Sequence, residues 1–343
     1  DSYDKGFLHC DVLIVGGGPA GLAAALAAGR AGTRVILVDE DFLPGGRLNA
    51  ETLEVDGIPG ADWAAKTLKE LTNMPNMRVM TRTTVYGAFD HGIYGALERR
   101  TDHLATSDGR PRQVLWRIYS KQAILCTGAT ERPIAFGNND RPGVMLAGSI
   151  RAYVNRWGAT PGKSVAIFTI NDDGWRTAQD LAAKGINVTA IIDSRDKPAF
   201  APVPNATIIT NGRVFDVAGR KGVTAIKLTN GQTIDADCLA VAGGWNPNVQ
   251  LTCHQRGIPQ WRNDIAAFVP GDEIPAGMMV AGAANGALSL GAALKQGTEA
   301  GNAVAENTGQ KPVSMAAPQA EDEPCKTIAF WHVSESKNRA WLD

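Results

Sequence analysis

The chain has 343 residues, of which 44% are hydrophobic, and a formal net charge of −1. This length predicts two domains, because a single hydrophobic core rarely serves a chain of more than about 300 residues. A nearly neutral chain lacks the basic field that nucleic acid or an anionic membrane surface requires, so neither is expected as a partner. The five cysteines form no CxxC motif, which excludes a zinc ribbon and a redox-active CxxC disulfide. Their usage favours a reducing compartment, and we expect a cytoplasmic protein without membrane spans.

The strongest pattern lies at residues 11–40, which predict a strand, a glycine turn, a helix and a second strand. The strand follows a short arm to which we assign no chemistry. Gly16, Gly18 and Gly21 have the GxGxxG spacing, in which the first glycine allows a tight turn, the second admits a pyrophosphate and the third lets helix pack on strand. The helix that follows directs free N–H groups at that phosphate. The pattern predicts dinucleotide binding; the alternative is a structural glycine turn.

Acidic residues follow the second predicted strand. Asp39 stands where a carboxylate accepts hydrogen bonds from a ribose, and with Glu40 it would repel the extra phosphate of NADP. The next glycine pair, in PGGRL at 44–48, would bring Arg47 close to a phosphate or ribose, although a plain connecting turn is the alternative. Val85, near the edge of the first domain, is expected to meet the adenine through its backbone.

Two later segments are predicted to complete this domain. The strand ending at Gly128 closes it, and we expect Gly128 beside the cofactor because a side chain there would collide with it. Residues 277–307 predict a strand, a glycine-rich turn and a helix that starts near 283–288 and returns the chain to the first domain. Dinucleotide folds that bind FAD usually place an aspartate after the closing glycine. Here Ala283 follows Gly282, which favours NAD over FAD.

Residues 164–193 repeat the strand, turn, helix and strand, but their turn reads Asn171, Asp172, Asp173, Gly174. Two carboxylates would repel a pyrophosphate, so we expect a fold that lost this site; a site for a cationic or neutral group is the alternative. Gly243 and Gly244 before Trp245 predict a second glycine edge at the cleft.

The predicted fold class is α/β with two Rossmann-like domains of the FAD/NAD(P)-binding, disulfide-reductase-like type, the first discontinuous and the second degenerate. The predicted domains are residues 10–150 plus 265–310 for NAD, residues 151–264 for the degenerate domain, and residues 311–343 for a linker and the start of a following domain. The histidines are scattered and no GxSxG is present, so no metal ligand and no catalytic residue is assigned.

Four segments together resemble the alpha subunit of heterotetrameric sarcosine oxidase. They are YDKGFLHCDVLIVGGGPAGLAAALAA, VDEDFLPGGRL, ATERPIAFGNNDRPGVMLAG and NDDGWRTAQDLAAKG. The first motif is shared by a large superfamily, whereas the connector NDRPGVM and the degenerate second turn are far more specific. The resemblance extends from about residue 3 to the end of the chain.

The resemblance implies a longer alpha subunit, with a small domain before this stretch and a folate-binding, aminomethyltransferase-like domain after it. It implies a complex with beta, gamma and delta subunits that oxidises sarcosine with oxygen to glycine and hydrogen peroxide, releasing formaldehyde or forming 5,10-methylenetetrahydrofolate. FAD, FMN and tetrahydrofolate would bind elsewhere in that complex, and NAD would bind this chain without established hydride transfer.

The resemblance also implies which residues surround the NAD. They are Gly16, Gly18, Ala20 and Gly21 at the pyrophosphate, Asp39 and Glu40 at the ribose, and Arg47, Val85, Ala283 and Leu288 around them. Two other functions stay open from the sequence. One is a self-sufficient FAD-dependent NAD(P)H oxidoreductase or amine dehydrogenase subunit; the other is a scaffold whose Rossmann core serves only subunit contacts.

Overall fold

The computed structural model describes residues 2–106, 108–198, 200–320 and 325–341. The strands are β1 (Tyr3–Val15), β2 (Val35–Val38), β3 (Glu54–Val55), β4 (Ile58–Pro59), β5 (Met77–Met80), β6 (Thr83–Phe89), β7 (Ile93–Arg99), β8 (Gln113–Leu125), β9 (Ala129–Glu131), β10 (Val144–Leu146), β11 (Ser164–Thr169), β12 (Asn187–Asp193), β13 (Thr207–Ile209), β14 (Val214–Ala218), β15 (Ala225–Leu228), β16 (Thr233–Asp235), β17 (Cys238–Ala242), β18 (Trp245–Pro247), β19 (Gln260–Arg262), β20 (Ala267–Val269) and β21 (Met278–Val280). The α-helices are α1 (Pro19–Arg30), α2 (Gly60–Asn73), α3 (Ala147–Trp157), α4 (Asp172–Ala183), α5 (Gln250–Cys253) and α6 (Leu290–Asn307). Within these ranges no helix has the length and apolar character needed to cross a membrane.

The first sheet has the strand order β5-β2-β1-β8-β7-β6, and β21 also pairs with β8. The parallel register places Val15 beside Val38 and Leu125, and Val280 beside Leu125. The carboxyl ends of β1, β2, β8 and β21 therefore meet at one edge. In open α/β sheets this edge is where ligands bind.

The arm expected before the first strand is instead the first half of β1. Residues 3–10 pair in parallel with residues 113–120 of β8. One face of this extension is buried through Cys10, Val114 and Ile118, while Tyr3 is exposed on the other. Aromatic side chains on the outer face obscure the alternation of apolar and polar residues, so the sequence pattern does not show a strand.

Helix α6 returns the chain to the first sheet by packing against α1. A Cβ added at Gly297 would lie 2.1 Å from the Ala20 carbonyl oxygen, and one at Gly301 would lie 2.4 Å from that of Ala24. The two backbones thus approach too closely for larger residues, which explains the small-residue composition of both helices. With β21 paired to β8, this packing confirms that the first domain is discontinuous.

The second sheet has the order β10-β17-β11-β12-β13 and is accompanied by the antiparallel sheet β14-β15-β16. The predicted strand, helix and strand over residues 164–193 are confirmed as β11, α4 and β12. The fold class is therefore α/β with two Rossmann-like domains, as predicted.

The predicted domain boundaries stay proposals, and we revise the assignment of residues 325–341. Within the predicted segment 311–343, residues 321–324 and 342–343 lie outside the described part of the chain. Residues 325–341 run along the second domain: Val333 is fully buried in the core that contains Phe136 and Phe168, and its N–H donates to the Ala135 carbonyl. We therefore propose that residues 325–341 belong to the second domain.

Candidate nucleotide-binding crevice

A crevice of about 620 Å³ opens at the carboxyl ends of the first sheet. Its volume lies within the range typical of small-molecule sites, about 300–1,000 Å³. Of the residues predicted to surround a dinucleotide, those that line this crevice are Gly16, Gly18, Ala20, Asp39, Glu40, Arg47, Val85, Gly128, Ala283 and Leu288. The fold thus brings together segments that are more than 200 residues apart in the chain.

The three glycines of the GxGxxG motif differ in what surrounds them. Gly16 has φ +101°, and an added Cβ would lie 2.2 Å from the Cys126 carbonyl oxygen. A Cβ at Gly21, which does not line the crevice, would lie 1.8 Å from the Gly16 oxygen. At Gly18 the nearest atom, the Gly46 Cα, would be 4.0 Å away. Packing therefore requires glycine at positions 16 and 21, whereas Gly18 keeps space open on the crevice side.

Helix α1 begins at Pro19 with its N-terminus at the crevice. Its N-cap residue, Gly18, has extended backbone (φ −72°, ψ −171°), and no side chain caps the first turn. The first N–H groups of a helix have no intrahelical acceptor and carry the positive end of the helix dipole. This end of α1, with Ala20 beside it, suits an anion such as a pyrophosphate.

The two predicted ribose acceptors have different surroundings. Asp39 is buried, and its carboxylate accepts hydrogen bonds from the Gly17 N–H at 2.5 Å and the Asp41 N–H at 2.7 Å. Burial raises the pKa of Asp39 above its usual value, and those two hydrogen bonds oppose the rise. Glu40 is exposed at the crevice, and none of the described residues donates to its carboxylate. Both carboxylates line the crevice; that of Glu40 is uncommitted within the described chain, whereas each oxygen of Asp39 already accepts one backbone N–H.

Val85 and Gly128 line the crevice on either side of the glycine loop. The first residues of β6 are tied to the end of β2, because the Thr83 N–H donates to the Asp39 carbonyl at 2.8 Å. This brings the start of β6, and with it Val85, to the end of β2 that carries Glu40; the contact of Val85 with an adenine stays a prediction. Gly128 has φ +70° and nothing within 4 Å of an added Cβ, so its backbone conformation, not packing within the chain, favours glycine. The collision of a side chain with a cofactor stays a prediction.

Arg47 lines the crevice on the side of Leu288 and Asp173. Its Nε is 2.9 Å from both carboxylate oxygens of Glu51, and its Nη1 donates to the Leu288 carbonyl at 2.5 Å. Burial lowers the pKa of Arg47, but the carboxylates of Glu51 and Asp173 outweigh it and raise that pKa above its usual value. Arg47 is therefore a fixed cation at the wall, with two of its nitrogens already engaged.

The helix expected near 283–288 starts later. Residues Gly282–Asn285 form a 3₁₀ turn, and α6 begins at Leu290 with Ser289 as its N-cap. Ala283 and Leu288 thus line the crevice from the turn and the loop before the helix. The small, glycine-rich sequence obscures this boundary, because it favours helix only weakly.

The corresponding end of the second domain is closed by its own side chains. Asn171 caps α4 through its side-chain oxygen, which accepts from the Gly174 N–H at 3.2 Å. Asp172 accepts from Arg195 Nη1 at 2.6 Å and from the Lys326 N–H at 2.7 Å. Asp173 pairs with Arg176 Nη1 at 2.9 Å. The side chains of Asn171, Asp172 and Asp173 are thus all engaged within the chain.

A segment near the C-terminus covers this turn. The Asp172 N–H donates to the Lys326 carbonyl and the Ile328 N–H to the Ile170 carbonyl, each at 3.2 Å. A β-bridge joins Asn171 to Thr327. A dinucleotide would need the same backbone N–H groups. The segment 326–328 and a nucleotide therefore cannot both occupy this turn.

Two residues that the sequence did not assign stand near the crevice. Trp245 lines it and donates from Nε1 to Asp173 Oδ2 at 2.5 Å. Glu131, paired with Trp245 across β9 and β18, is buried; its Oε2 accepts from the Gly148 N–H at 2.7 Å, and within the described chain its Oε1 has no hydrogen-bond partner. Burial raises the pKa of Glu131 to about 8. The glycine pair before Trp245 is a sequence signal for that residue, whereas no local pattern marks Glu131.

Comparison with known proteins identifies relatives of this chain. A family of FAD dependent oxidoreductases matches residues 11–97. The chain is similar along its whole length to the sarcosine oxidase subunit alpha of Rhizobium meliloti (strain 1021), with 43% identity, and spans 35% of that relative's length. It likewise shares 40% identity with the subunit alpha of Corynebacterium sp. (strain U-96), over 94% of this chain and 36% of the relative.

Solved structures with low sequence identity share the fold. L-proline dehydrogenase from P. horikoshii superposes with a TM-score of 0.71 at 23% identity, over 91% of this chain and 58% of that one. At this identity the likeness concerns the fold alone.

Proposed function

Because this chain belongs to the family of sarcosine oxidase alpha subunits and spans about a third of their length, we propose that it is the nucleotide-binding portion of such a subunit. In this proposal the crevice holds NAD. The pyrophosphate lies against Gly16, Gly18 and Ala20 at the start of α1, and the adenosine ribose meets Glu40. The walls are completed by Val85, Gly128, Arg47, Ala283 and Leu288. Gly21 packs against Gly16 and so supports the glycine loop.

The observation that carries this proposal is the space at Gly18. The protein's own packing does not demand glycine there, since an added Cβ would meet nothing nearer than 4.0 Å. That Cβ would instead enter the crevice at the uncapped N-terminus of α1. Close approach of a pyrophosphate to the backbone explains both features together.

The closing turn supports NAD over FAD. Dinucleotide folds that hold FAD usually have an aspartate near the ribityl chain at this point, whereas here Ala283 lines the crevice after Gly282. The N–H of Gly282 donates to Gln296 Oε1 at 3.1 Å, so an uncharged side chain occupies this position. NAD has no ribityl chain and loses less from the missing carboxylate.

FAD in the same crevice is the second candidate, because the matching family is described as FAD dependent. The closed turn of the second domain does not favour a self-sufficient NAD(P)H oxidoreductase, which needs a second nucleotide site. It suits a chain that holds one nucleotide and leaves the redox chemistry to partner subunits.

For the whole protein we propose the family's activity, the oxidation of sarcosine at its C–N bond by a complex with beta, gamma and delta subunits, with FAD, FMN and tetrahydrofolate bound outside this chain. We assign no catalytic residue here. The five unpaired cysteines suit a reducing compartment, and we propose the cytoplasm.

The test is competitive loading. The purified chain is incubated with equimolar NAD and FAD, desalted, and the bound nucleotide is released by acid and identified by mass. We expect the released nucleotide to be NAD and the loaded chain to show no flavin absorbance. Recovery of FAD would favour the second candidate instead.

A further inference from the structure

Trp245 forms part of the crevice wall, and a hydrogen bond fixes one end of its indole ring. Its Nε1 donates to Asp173 Oδ2 at 2.5 Å. The opposite edge of the ring lies over Gly148 in the first turn of α3, where an added Cβ would come within 3.4 Å of Trp245 Cη2. A ring fixed in this way offers a flat apolar surface at little cost in side-chain entropy.

Asp173 is itself fixed as an ionised acceptor. It is buried, its Oδ1 accepts from Arg176 Nη1 at 2.9 Å, and the Cys325 thiol donates to its Oδ2 at 3.6 Å. Burial alone raises the pKa of Asp173, but the cations of Arg47, Arg151 and Arg176 and the Trp245 indole outweigh it and lower that pKa below its usual value. The carboxylate therefore stays charged and holds the indole N–H.

This wall lies on the side of the crevice away from Glu40, where the proposed function puts the adenosine. Glu40 follows β2, and Trp245 pairs through β18 with β9, which follows β8, so β1 and its glycine loop lie between the two sides. On the side of Trp245, Arg47 donates to the Leu288 carbonyl and interacts with Asp173, which bonds to Trp245. A dinucleotide extended over the glycine loop would bring its second ring toward Trp245.

We propose that Trp245 is the stacking surface for the nicotinamide ring and that Asp173 is the positioning residue that holds it there. This inference rests on the proposed function. It also gives the acidic turn of the second domain a role: the residue that replaces a second phosphate site supports the first site across the domain boundary.

The test compares two ligands that differ by the nicotinamide ring, NAD and ADP-ribose. Dissociation constants are measured by titration calorimetry on the full chain, for the wild type, Trp245→Ala and Trp245→Phe. An aromatic contact contributes about 0.5–1.5 kcal/mol, which corresponds to about 2- to 10-fold in affinity. We expect Trp245→Ala to weaken NAD by about 5-fold and to leave ADP-ribose within about 2-fold, while Trp245→Phe keeps most of the NAD affinity.

The matched control is Trp261→Ala. Trp261 is a half-exposed tryptophan of the hairpin β19–β20, and its Nε1 donates to Asn263 Oδ1 at 2.6 Å. Because it does not line the crevice, its loss is expected to change neither ligand's affinity.

The role of Asp173 is tested by Asp173→Ala and Asp173→Asn. The asparagine keeps an oxygen that accepts from the indole, so we expect it to restore NAD binding relative to the alanine, with ADP-ribose unchanged in both. Circular dichroism of the tryptophan bands reports whether the indole has become mobile. If the Asp173 variants do not fold, the Trp245 pair alone decides the stacking surface.

Three outcomes are distinguishable. Selective loss of NAD in Trp245→Ala supports the inference. An equal loss of affinity for both ligands, or no change in either affinity, overturns the inference while the proposed function stands. A wild-type chain that binds neither NAD nor ADP-ribose overturns the proposed function and this inference with it.

Discussion

The backbone N–H of Gly17 donates a hydrogen bond of 2.5 Å to Oδ2 of Asp39. The other carboxylate oxygen accepts from the Asp41 N–H at 2.7 Å. Asp39 thus connects the glycine loop after β1 to the turn after β2, and both of its oxygens serve the fold. Glu40, the next residue, is exposed and faces the crevice. The two neighbouring acids thus differ in their surroundings: Asp39 is bonded to the backbone of two turns, whereas the carboxylate of Glu40 has no donor among the described residues.

Substitutions at these two positions should therefore separate stability from binding. Asp39→Ala leaves two backbone N–H groups at a buried site without their acceptor, and we expect it to lower the free energy of unfolding by about 1–3 kcal/mol. Glu40→Ala should change that free energy by less than about 0.5 kcal/mol. Urea denaturation measures both.

NAD binding, in contrast, should be weakened by the substitution of Glu40. Loss of a hydrogen bond to a charged acceptor costs about 1.5–3 kcal/mol, so Glu40→Ala should weaken NAD by about tenfold or more. The same variant should discriminate less against NADP, whose extra phosphate the carboxylate repels. Unchanged NAD affinity in Glu40→Ala would show that the ribose lies elsewhere.

Gly18 and Gly21 offer a second pair of variants. Gly18→Ala has room within the protein and an ordinary backbone conformation, so we expect its stability to fall by less than about 1 kcal/mol. Its methyl group would enter the crevice and abolish measurable NAD binding. Gly21→Ala would place a Cβ 1.8 Å from the Gly16 oxygen, and we expect a chain that does not fold. Thermal unfolding and calorimetric titration distinguish the two; full NAD affinity in Gly18→Ala would argue against a pyrophosphate at this loop.

The start of the first domain is predictable from local sequence patterns. The apolar block at 12–15, the glycine spacing and the acids at 39 and 40 lie within 30 residues, and each pattern has a direct physical cause. Their placement around one crevice follows from the parallel register of β1, β2 and β8. For this reason the fold class and the residues near the crevice were predictable.

What the sequence did not reveal depends on contacts between distant segments. Trp245 and Asp173 are 72 residues apart, and only the docking of β18 on β9 brings the indole to α4. The engagement of Asp39 by the Gly17 N–H distinguishes it from Glu40, and no pattern in the chain distinguishes two adjacent acids. The cover that residues 326–328 form over α4 likewise arises from hydrogen bonds across more than 150 residues.

The cover over the second domain predicts how many nucleotides one chain binds. Asp172 and the backbone around Ile170 are bonded to residues 326–328, so no phosphate can reach the start of α4. We expect native mass spectrometry to show one NAD per chain, even at concentrations far above the dissociation constant of the crevice. NADH and NADPH should give no second site, and a second specific equivalent would mean that the cover opens.

Glu131 predicts a dependence of stability on pH. Burial raises its pKa from 4.5 to about 8 in the folded chain, so the unfolded chain loses this proton at lower pH than the folded one. Stability from this group is therefore intact below about pH 4.5 and falls as the pH rises toward 8. Glu131→Gln removes the ionisation, and we expect it to be more stable than the wild type at pH 7 by an amount on the order of 3 kcal/mol or less.

The check is urea denaturation of both proteins at several pH values. The difference between Glu131→Gln and the wild type should shrink toward zero at pH 4.5. A difference that stays constant between pH 4.5 and 8 would show that Glu131 keeps an ordinary pKa in the folded chain.

A crystal structure of the chain grown with NAD will show whether the crevice between Glu40 and Trp245 holds this dinucleotide. We expect density for a dinucleotide with its pyrophosphate at Gly18, its ribose at Glu40 and its nicotinamide over Trp245. A crevice that stays empty at saturating NAD, or that holds FAD instead, would contradict the proposed function.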